Sequence, residues 1–459
     1  MFERCALVAA ALLAGSALPA HAQFTQYTIT NVGDAVPGSA VGVAGLSDTG
    51  FVTGWVFTSG PLFDSMGFRW SPRRTVVPAP PAGIVWQGFE VVDVNDAGTF
   101  VGSFGELSGF LARGFRWRAG VSEEFLTPLG FRAFPTAIND AGWIVGYAGA
   151  QPAGTPGAVV WDPMLTPSFV ADLGRATDIN DHEQIVGYRV DAAGVPRGFL
   201  YDHGALIPLG SLDPTGQGAV FPRALDNHGR VVGTSSIGGH EHAFLWTAAN
   251  GMTELPDLGI QHFPFNVAAL DINDAGWIVG YAPNSNGQAD VLWNPGGAVV
   301  DLEPLIPDIG PSGNWQNLLS ALRVNAAGQI AGFASHVPSS FQGRTVLLTP
   351  AALQASALVP GVAGELNTLD VGGAEPGQIV YLAADHDDPL DRGYFTLATC
   401  EPLGLAMDAP RVFATATADG AGHASFQWVA PAGLAGADLR FQAFQRGACR
   451  VSNVVRATL

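Results

Sequence analysis

The chain has 459 residues with 40 acidic and 21 basic side chains, so its formal net charge is −19. A surface this negative repels phosphate groups, which excludes nucleic acids and anionic membranes as expected partners. Only 13% of the residues are charged, whereas glycine and proline number 59 and 32. This composition is typical of short strands joined by tight turns and predicts an all-β protein.

Residues 1–22 have the features of a secretory signal peptide. Arg4 lies ahead of an apolar run from Cys5 to Leu18, and Ala20-His21-Ala22 forms a cleavage site of the small-x-small type. The apolar run is shorter than the ~20 residues that a membrane-spanning helix requires. We therefore expect cleavage before Gln23 and a mature protein that is secreted, either extracellular or periplasmic.

Residues 23–350 contain one short segment seven times. The final glycines of the copies lie 48, 44, 41, 46, 47 and 52 residues apart. A period of about 40–50 residues, filled with short strands, is the size of a propeller blade. The copies are GLSDTGFVTG (45–54), DVNDAGTFVG (93–102), AINDAGWIVG (137–146), DINDHEQIVG (178–187), ALDNHGRVVG (224–233), DINDAGWIVG (271–280) and RVNAAGQIAG (323–332).

The sixth copy shows how one unit is built. Asp274-Ala275-Gly276 is predicted to be a tight turn between the first two strands, and Gly280 to allow close approach of a backbone or to mark a bulge. A periodic aromatic of the third strand is expected to pack between blades; it recurs as Trp70, Trp117, Trp161, Tyr201, Trp246 and Trp293. The four predicted strands are 269–273, 277–282, 289–294 and 298–302.

The two ends of the array complement each other. The seventh copy has three predicted strands and then breaks into a Pro/Ala-rich stretch, whereas the mature chain begins with FTQYTITNVG, which looks like a fourth strand. If residues 25–32 complete the last blade, no sheet edge is left open. We therefore predict a seven-bladed β-propeller over residues 23–350, closed by its N-terminal strand.

These units resemble the HAF-type probable extracellular repeat family of secreted bacterial proteins. The fifth copy is followed by GGHEHAFLW, which contains the namesake string His242-Ala243-Phe244, and related strings such as GFRW at 67–70 and DVLW at 290–293 follow other copies. The resemblance covers about residues 40–349. It implies a secreted, β-propeller-like protein and implies no particular activity.

The period ends before the C-terminal region. Residues 351–364 have the composition of a linker, and residues 365–459 contain about seven short strand-like segments, which predict a small β-sandwich. The mature chain has two cysteines, Cys400 and Cys449. In an oxidising compartment we expect them to form a disulfide, because the further ligands of a zinc site are missing.

Three motifs contain residues that could bind a metal ion, and for each of them we favour an interpretation without a metal. The repeated Asp-x-Asn-Asp-x-Gly resembles a calcium loop, but its fifth position is Ala97, Ala275 or His182, so we expect a turn held by bonds to local backbone. His240 and His242 lie on one strand face and could both bind a metal, but no third ligand is nearby in the sequence. We therefore expect them to be ordinary residues of a strand face.

The densest acidic run is DHDDPLD. It contains Asp385, Asp387, Asp388 and Asp391, which could hold calcium in a loop. A solvated acidic loop is the interpretation that we favour. No cofactor and no metal ligand is therefore assigned, with calcium at this run kept as an open alternative.

No catalytic residue is assigned either, because the chain contains no nucleophile elbow, zinc-protease, phosphate-loop or dinucleotide motif. We expect a monomeric, non-enzymatic protein that binds or scaffolds an extracellular glycan or protein. The alternative is a secreted carbohydrate-active enzyme, a lyase or a glycosidase, whose acidic residues from different blades would meet at the mouth of the channel.

Overall fold

The computed structural model describes most of the repeat region and parts of the C-terminal region. The signal-peptide segment 1–22 and both cysteines, Cys400 and Cys449, lie outside the described residues. The described residues are 26–33, 39–57, 65–72, 74–76, 86–106, 112–127, 132–148, 157–172, 174–259, 266–285, 287–306, 309, 315–336, 343–351, 354–355, 361–362, 365–374, 378–386, 395–396, 404–405, 411–419, 423–429, 435, 437–445, 450–452 and 455–458.

Strands dominate these residues, as the composition predicts. A 3-10 turn lies at Glu303–Leu305, and the described ranges contain no helix long and apolar enough to cross a membrane. In chain order the strands of the repeat region are β1 (Tyr27–Asn31), β2 (Ser39–Leu46), β3 (Val52–Phe57), β4 (Ser65–Trp70), β5 (Trp86–Val94), β6 (Phe100–Glu106), β7 (Ala112–Arg118), β8 (Val121–Phe125), β9 (Ala133–Ile138), β10 (Ile144–Ala148), β11 (Ala158–Trp161), β12 (Pro167–Ala171), β13 (Gly174–Ile179), β14 (Ile185–Val190), β15 (Pro196–Asp202), β16 (Ala205–Pro208), β17 (Val220–Leu225), β18 (Val231–Ile237), β19 (His240–Thr247), β20 (Gly251–Glu254), β21 (Ala268–Ile272), β22 (Ile278–Asn284), β23 (Gly287–Trp293), β24 (Val299–Asp301), β25 (Trp315–Val324), β26 (Ile330–His336) and β27 (Gly343–Pro350).

The sheets of the repeat region are antiparallel, and consecutive strands lie side by side. β1 pairs with β27, with Tyr27 opposite Pro350 and Asn31 opposite Val346, so the two ends of the repeat region share a sheet. The fold is therefore all-β and β-propeller-like. The sheets are β2-β3-β4, β5-β6-β7-β8, β9-β10-β11-β12, β13-β14-β15-β16, β17-β18-β19-β20, β21-β22-β23-β24 and β25-β26-β27-β1.

The predicted strands of the sixth copy agree with β21 to β24 to within two residues at each end. The second strand of each copy carries a continuous apolar run because both of its faces are covered by neighbouring sheets. In β10, Ile144 packs with Val101 of an adjacent sheet, whereas Val145 packs with Ala176 and Phe199 of another. The hydrophobic core thus lies between the sheets.

The close approach predicted at the repeated glycine is confirmed. In every copy a Cβ at this position would lie 1.7–2.2 Å from a carbonyl oxygen of the first strand. The same site is a bulge, for example at Val145/Gly146, where the ladder between β9 and β10 shifts register. A side chain here would collide with backbone, which explains why each copy ends in glycine. The seven glycines are Gly54, Gly102, Gly146, Gly187, Gly233, Gly280 and Gly332.

The third-strand aromatics pack between sheets, as predicted. Trp161 and Trp293 are fully buried. The indole N–H of Trp161 donates to the carbonyl of Leu126 at 2.8 Å, and that of Trp293 to the carbonyl of Pro256 at 2.7 Å. Both carbonyls follow the last strand of the preceding sheet, so each indole forms a hydrogen bond between two neighbouring sheets.

The C-terminal region contains two further packed sheets and a short hairpin. Leu369 and Phe426 of one sheet share a hydrophobic core with Leu382 and Phe441 of the other. The strands are β28 (Gln354–Ala355), β29 (Leu366–Gly372), β30 (Ile379–His386), β31 (Phe395–Thr396), β32 (Gly404–Leu405), β33 (Arg411–Thr417), β34 (Ala424–Val429), β35 (Asp438–Gln445), β36 (Arg450–Val451) and β37 (Val455–Thr458). They form the sheets β28-β29-β34 and β33-β30-β35-β36, in which β37 also pairs with β35, and the hairpin β31-β32.

Candidate functional site

A polar cavity of about 200 Å³ lies where the first strands and turns of all seven copies meet. The repeated segment therefore builds the wall of one shared site rather than seven separate ones. The wall is formed by residues from 46–48, 93–96, 136–140, 177–181, 223–227, 270–274 and 323–324.

The turn between the first two strands is organised by a buried asparagine. In the third copy, Oδ1 of Asn139 accepts the N–H of Trp143 at 2.9 Å, which caps the turn. Its Nδ2 group donates to the backbone carbonyl of Asn180, in the next copy, at 3.0 Å. One side chain thus completes its own turn and bonds its repeat to the following one.

This cross-repeat bond recurs at five positions, and we call the linked turns the turn network. The last asparagine, Asn325, donates to the carbonyl of Ser47 in the first copy at 3.0 Å. In the first copy two residues share the role of the asparagine: Ser47 Oγ accepts the N–H of Phe51, and Thr49 Oγ1 donates to the carbonyl of Asp96. The five asparagines are Asn95, Asn139, Asn180, Asn273 and Asn325.

The fifth copy replaces the asparagine with Asp226, which has no N–H donor. The carboxylate of Asp226 still accepts the N–H of Arg230 to cap the turn, and it also accepts Nε of the same arginine. The Arg230 guanidinium then donates to the carbonyls of Asn273 and Asp274, at 3.4 and 2.8 Å. Aspartate and arginine together thus supply the acceptor and the donor that a single asparagine supplies elsewhere.

The residue after each asparagine adds a second series of bonds at the mouth of the cavity. Its carboxylate accepts a backbone N–H of the preceding copy: Asp140 accepts from Asp96 at 2.8 Å, Asp181 from Asp140 at 2.9 Å, and Asp48 from Ala326 at 2.6 Å. Burial, followed by the neighbouring carboxylates, raises the pKa of Asp48 and of Asp140. The series is interrupted at Ala326, because alanine has no carboxylate that could accept a backbone N–H of the preceding copy.

Deeper in the cavity lie three further carboxylates, Asp93, Asp178 and Asp271, from the first position of alternate copies. Each accepts a backbone N–H of the next copy through Oδ2, from Ile138, Leu225 and Val324, at 2.9, 2.8 and 2.7 Å respectively. These bonds fix the orientation of the carboxylates.

The environment of the three carboxylates favours their protonated forms. Burial raises the pKa of Asp93 and of Asp271 to about 6, with Arg323 opposing the shift in both. Burial raises the pKa of Asp178 well above its usual range, and the charges of Asp93 and Asp271 raise it further. Three carboxyl groups with raised pKa values in one cavity are candidates for proton transfer.

Neutral and cationic groups complete the wall. Thr136 Oγ1 donates to the carbonyl of Ala176 in the next copy at 3.0 Å. Arg323 and Arg223 are the arginines among the residues that line the cavity. The site therefore offers proton donors, proton acceptors and positive charge within one polar space.

The side chains of the repeated Asp-x-Asn-Asp-x-Gly motif bond to backbone groups within and between repeats. The predicted local turn bonds are present, as at Asn139, but the following aspartates, such as Asp140, bond across repeats, which the sequence analysis did not anticipate. The ring of His242 contacts the carboxylate of Glu254 at 2.7 Å, and His240 is exposed. Within the acidic run, the side chain of Asp385 and the whole of Asp387, Asp388 and Asp391 lie outside the described residues.

A cluster of three possible metal ligands, Asp226, His228 and Asp274, also lies in the turn network. Arg230 occupies the Asp226 carboxylate and donates to the backbone of Asp274. A guanidinium bonded to one of the three ligands repels a cation, so these residues do not fit a metal site.

The cavity residues Asp93, Asp178, Asp271 and Arg323 were not among the site residues predicted from the sequence. A signal was present, because from the second copy to the sixth the first position alternates between aspartate and alanine, and in the seventh it is Arg323. The assignment needed the knowledge that these positions face one another across a shared cavity.

Comparisons with known proteins show similarity in fold. No family model and no curated protein matches the chain. Virginiamycin B lyase from Staphylococcus aureus is 11% identical, with a TM-score of 0.43 over 71% of this chain and 99% of that one. A fungal alcohol oxidase of the AA5 family is 11% identical, with a TM-score of 0.41 over 95% of this chain and 100% of that one. A gluconolactonase from Xanthomonas campestris is 13% identical, with a TM-score of 0.30 over 55% of this chain and 82% of that one.

The prediction of a non-enzymatic binding or scaffolding protein is contradicted by these similarities, since the similar structures are a lyase, an oxidase and a lactonase. At such identities and TM-scores they assign no reaction to this chain. That prediction rested on the residues that repeat, which the fold requires, whereas the first-position residues that differ between copies meet in the cavity.

The exchange of asparagine for an Asp226–Arg230 pair predicts a specific rescue. Arg230→Met should lower the free energy of unfolding by about 2–4 kcal/mol, because it leaves the buried Asp226 carboxylate without its cation. Adding Asp226→Asn should recover most of the loss, since asparagine supplies both bonds in the other copies. Urea unfolding of both variants measures this, and an unrescued double variant would contradict the assigned roles.

The raised pKa values of Asp93 and Asp271 predict how stability depends on pH. Both carboxyls bind protons more tightly in the folded chain (about pH 6) than in the unfolded chain (about pH 3.9). Their contribution to stability is therefore complete below about pH 4 and is lost as the pH rises through about 6. The urea concentration at the midpoint of unfolding should therefore increase as the pH is lowered from 7 to 4. In the double variant Asp93→Asn/Asp271→Asn this midpoint should depend less on pH. An unchanged slope in the variant would refute the assignment.

Proposed function

We propose that residues 23–350 form a closed, seven-bladed β-propeller and that residues 365–459 form a β-sandwich in a secreted protein of the HAF-repeat type. The pairing of β1 with β27 supports closure. The bonds from Asn325 and Ala326 to the turn of the first copy support it independently, because they join the last and first turns directly. Secretion rests on the signal-peptide features of residues 1–22.

We propose further that the protein is a carbohydrate-active enzyme whose site is the central cavity. The observation that carries this proposal is the convergence of Asp93, Asp178 and Asp271, all with raised pKa, in one polar cavity. Pairs of carboxyl groups with different pKa values are the machinery of glycoside hydrolysis, in which one protonates the leaving oxygen and the other activates water.

The environments of the carboxyl groups suggest their roles. Asp178, whose pKa is raised by burial and by the charges of Asp93 and Asp271, acts as the general acid that transfers its proton to the glycosidic oxygen as the C–O bond breaks. Asp93 or Asp271, which Arg323 helps to ionise, acts as the base that takes a proton from the attacking water. The water oxygen forms the new bond to the anomeric carbon, so atoms and charge balance.

The size of the cavity limits the substrate. A volume of about 200 Å³ is below the range of about 300–1,000 Å³ that is usual for clefts binding drug-sized ligands. We therefore propose that the cavity accepts a single sugar unit at the end of a glycan. The acidic mouth formed by residues such as Asp48 and Asp140 favours a neutral unit there.

Asparagine substitution tests the proposal, because asparagine keeps an oxygen for the cross-repeat bond and removes the titrating group. Asp178→Asn should lower the release of reducing sugar from neutral oligosaccharides by about 10²–10⁴-fold. Asp290→Asn is the matched control: Asp290 also accepts a backbone N–H of the next copy, from Ala321 at 2.9 Å, and burial raises its pKa to about 6, but it does not line the cavity.

The control should retain the activity of the parent protein. The proposal would be overturned if the parent protein released no sugar from a panel of neutral glycans between pH 4 and 8. It would also be overturned if Asp178→Asn, folded as judged by its circular dichroism, were as active as Asp290→Asn.

A further inference from the structure

Five side chains form a continuous strip at the ends of the inner strands that lie opposite the turn network. We call Phe134, Tyr147, Arg175, Tyr188 and Phe221 the aromatic–arginine strip. The rings of Phe134 and Tyr147 stack with centroids 4.9 Å apart, and the Arg175 guanidinium carbon lies 4.1 Å from the Tyr147 centroid. Tyr188 meets Phe221 edge to face at 5.2 Å.

The repeat geometry explains why these residues are together. Tyr147 and Tyr188 directly follow the repeated glycines of their copies, and each packs on a first-strand residue of the next copy. Arg175 faces Tyr188 across the ladder between β13 and β14, just as Phe134 faces Tyr147 across the ladder between β9 and β10. Paired residues of antiparallel strands share a face, so the strip runs unbroken over three neighbouring sheets.

The charge of Arg175 is not neutralised within the described part of the chain. Arg175 is exposed and has no hydrogen-bond or ion-pair partner among the described residues, and the same holds for Arg189, beside Tyr188. The nearby Asp172 forms no ion pair with Arg175.

One exposed arginine on a half-buried aromatic ring defines a ligand chemistry. The Arg175 guanidinium carbon lies 4.1 Å from the Tyr147 centroid, and the N–H fork of a guanidinium matches the two oxygens of a carboxylate. The rings of Phe134, Tyr188 and Phe221 add apolar surface next to that fork. A ligand that uses both features has a carboxylate attached to a ring with an apolar face.

We propose that the aromatic–arginine strip is a binding site for a uronic acid unit of an acidic oligosaccharide. The carboxylate of the sugar bonds to Arg175, and the C–H face of the sugar ring packs on the aromatic side chains. A free phosphate or sulfate would use the arginine but not the rings, so a uronate fits the whole strip better. The site lies at the opposite ends of β9 and β13 from the cavity and does not depend on the proposed reaction.

Calorimetric titration of the full chain tests the proposal, with trigalacturonate as the probe and a neutral galactose trisaccharide as the comparison. Trigalacturonate should bind at least tenfold more tightly than the neutral sugar, and added NaCl should weaken it because the attraction is ionic. Arg175→Met keeps an apolar stem over Tyr147 and should lose at least tenfold in affinity for the uronate. Arg118→Met, which removes an exposed arginine elsewhere, should bind as the parent protein does.

Asp178→Asn should also bind trigalacturonate unchanged, which separates this site from the catalytic proposal. Equal affinity for the two sugars in the parent protein, or no binding of either, would overturn the inference without any variant. Full uronate affinity in folded Arg175→Met would overturn it as well. If inorganic sulfate at equal concentration displaced the uronate completely and bound as tightly, the strip would be a simple anion site and the inference would be wrong.

Discussion

The fold depends on a buried asparagine that bonds in two directions. Oδ1 of Asn139 accepts an N–H of its own turn, and Nδ2 donates to a carbonyl of the next repeat. Because the Asn139 side chain is buried, losing either bond leaves one of its polar groups without a partner inside the protein, which costs about 1–3 kcal/mol. The side chain therefore couples local turn geometry to the placement of the neighbouring repeat, and it does so around the whole set of turns.

The exceptions to the asparagine rule show that its two functions are separable. Ser47 caps its turn while Thr49 makes the bond to the next repeat, and Asp226 caps its turn while Arg230 makes that bond. Each variant repeat keeps one acceptor for its own turn and one donor for its neighbour. The constraint thus applies to the pair of bonds and not to the residue type.

Much of the fold could be predicted from the sequence because it is encoded locally. The period, the strands and the need for glycine at positions such as Gly280 follow from alternation, turn residues and spacing. The cross-repeat bonds could not be predicted in the same way, because they join residues 41–52 apart, or 278 apart for Asn325 and Ser47, which meet only when the sheets are arranged around the cavity.

The positions of the cavity carboxylates could not be predicted from the sequence for a related reason. Strand alternation assigns faces only while the ladder is regular, and the ladder shifts register between Ala176 and Asp178. A bulge places an extra residue on one strand, so the direction of Thr177 and Asp178 cannot be obtained by counting from the buried positions. The net charge is a poor guide for another reason: a total of −19 describes the whole chain, whereas the exposed Arg175 has no ion-pair partner among the described residues.

Amide hydrogen exchange, resolved to single residues, tests the turn network most directly. The backbone N–H of Asp96, Asp140 and Ala326 is bonded to a carboxylate of the next turn, whereas that of Asp274 faces Ala326, which has none. The account predicts slow exchange at the first three amides and faster exchange at Asp274. If the amide of Ala326 exchanged as fast as that of Asp274, the last and first turns would not be joined, and the closed arrangement would be wrong.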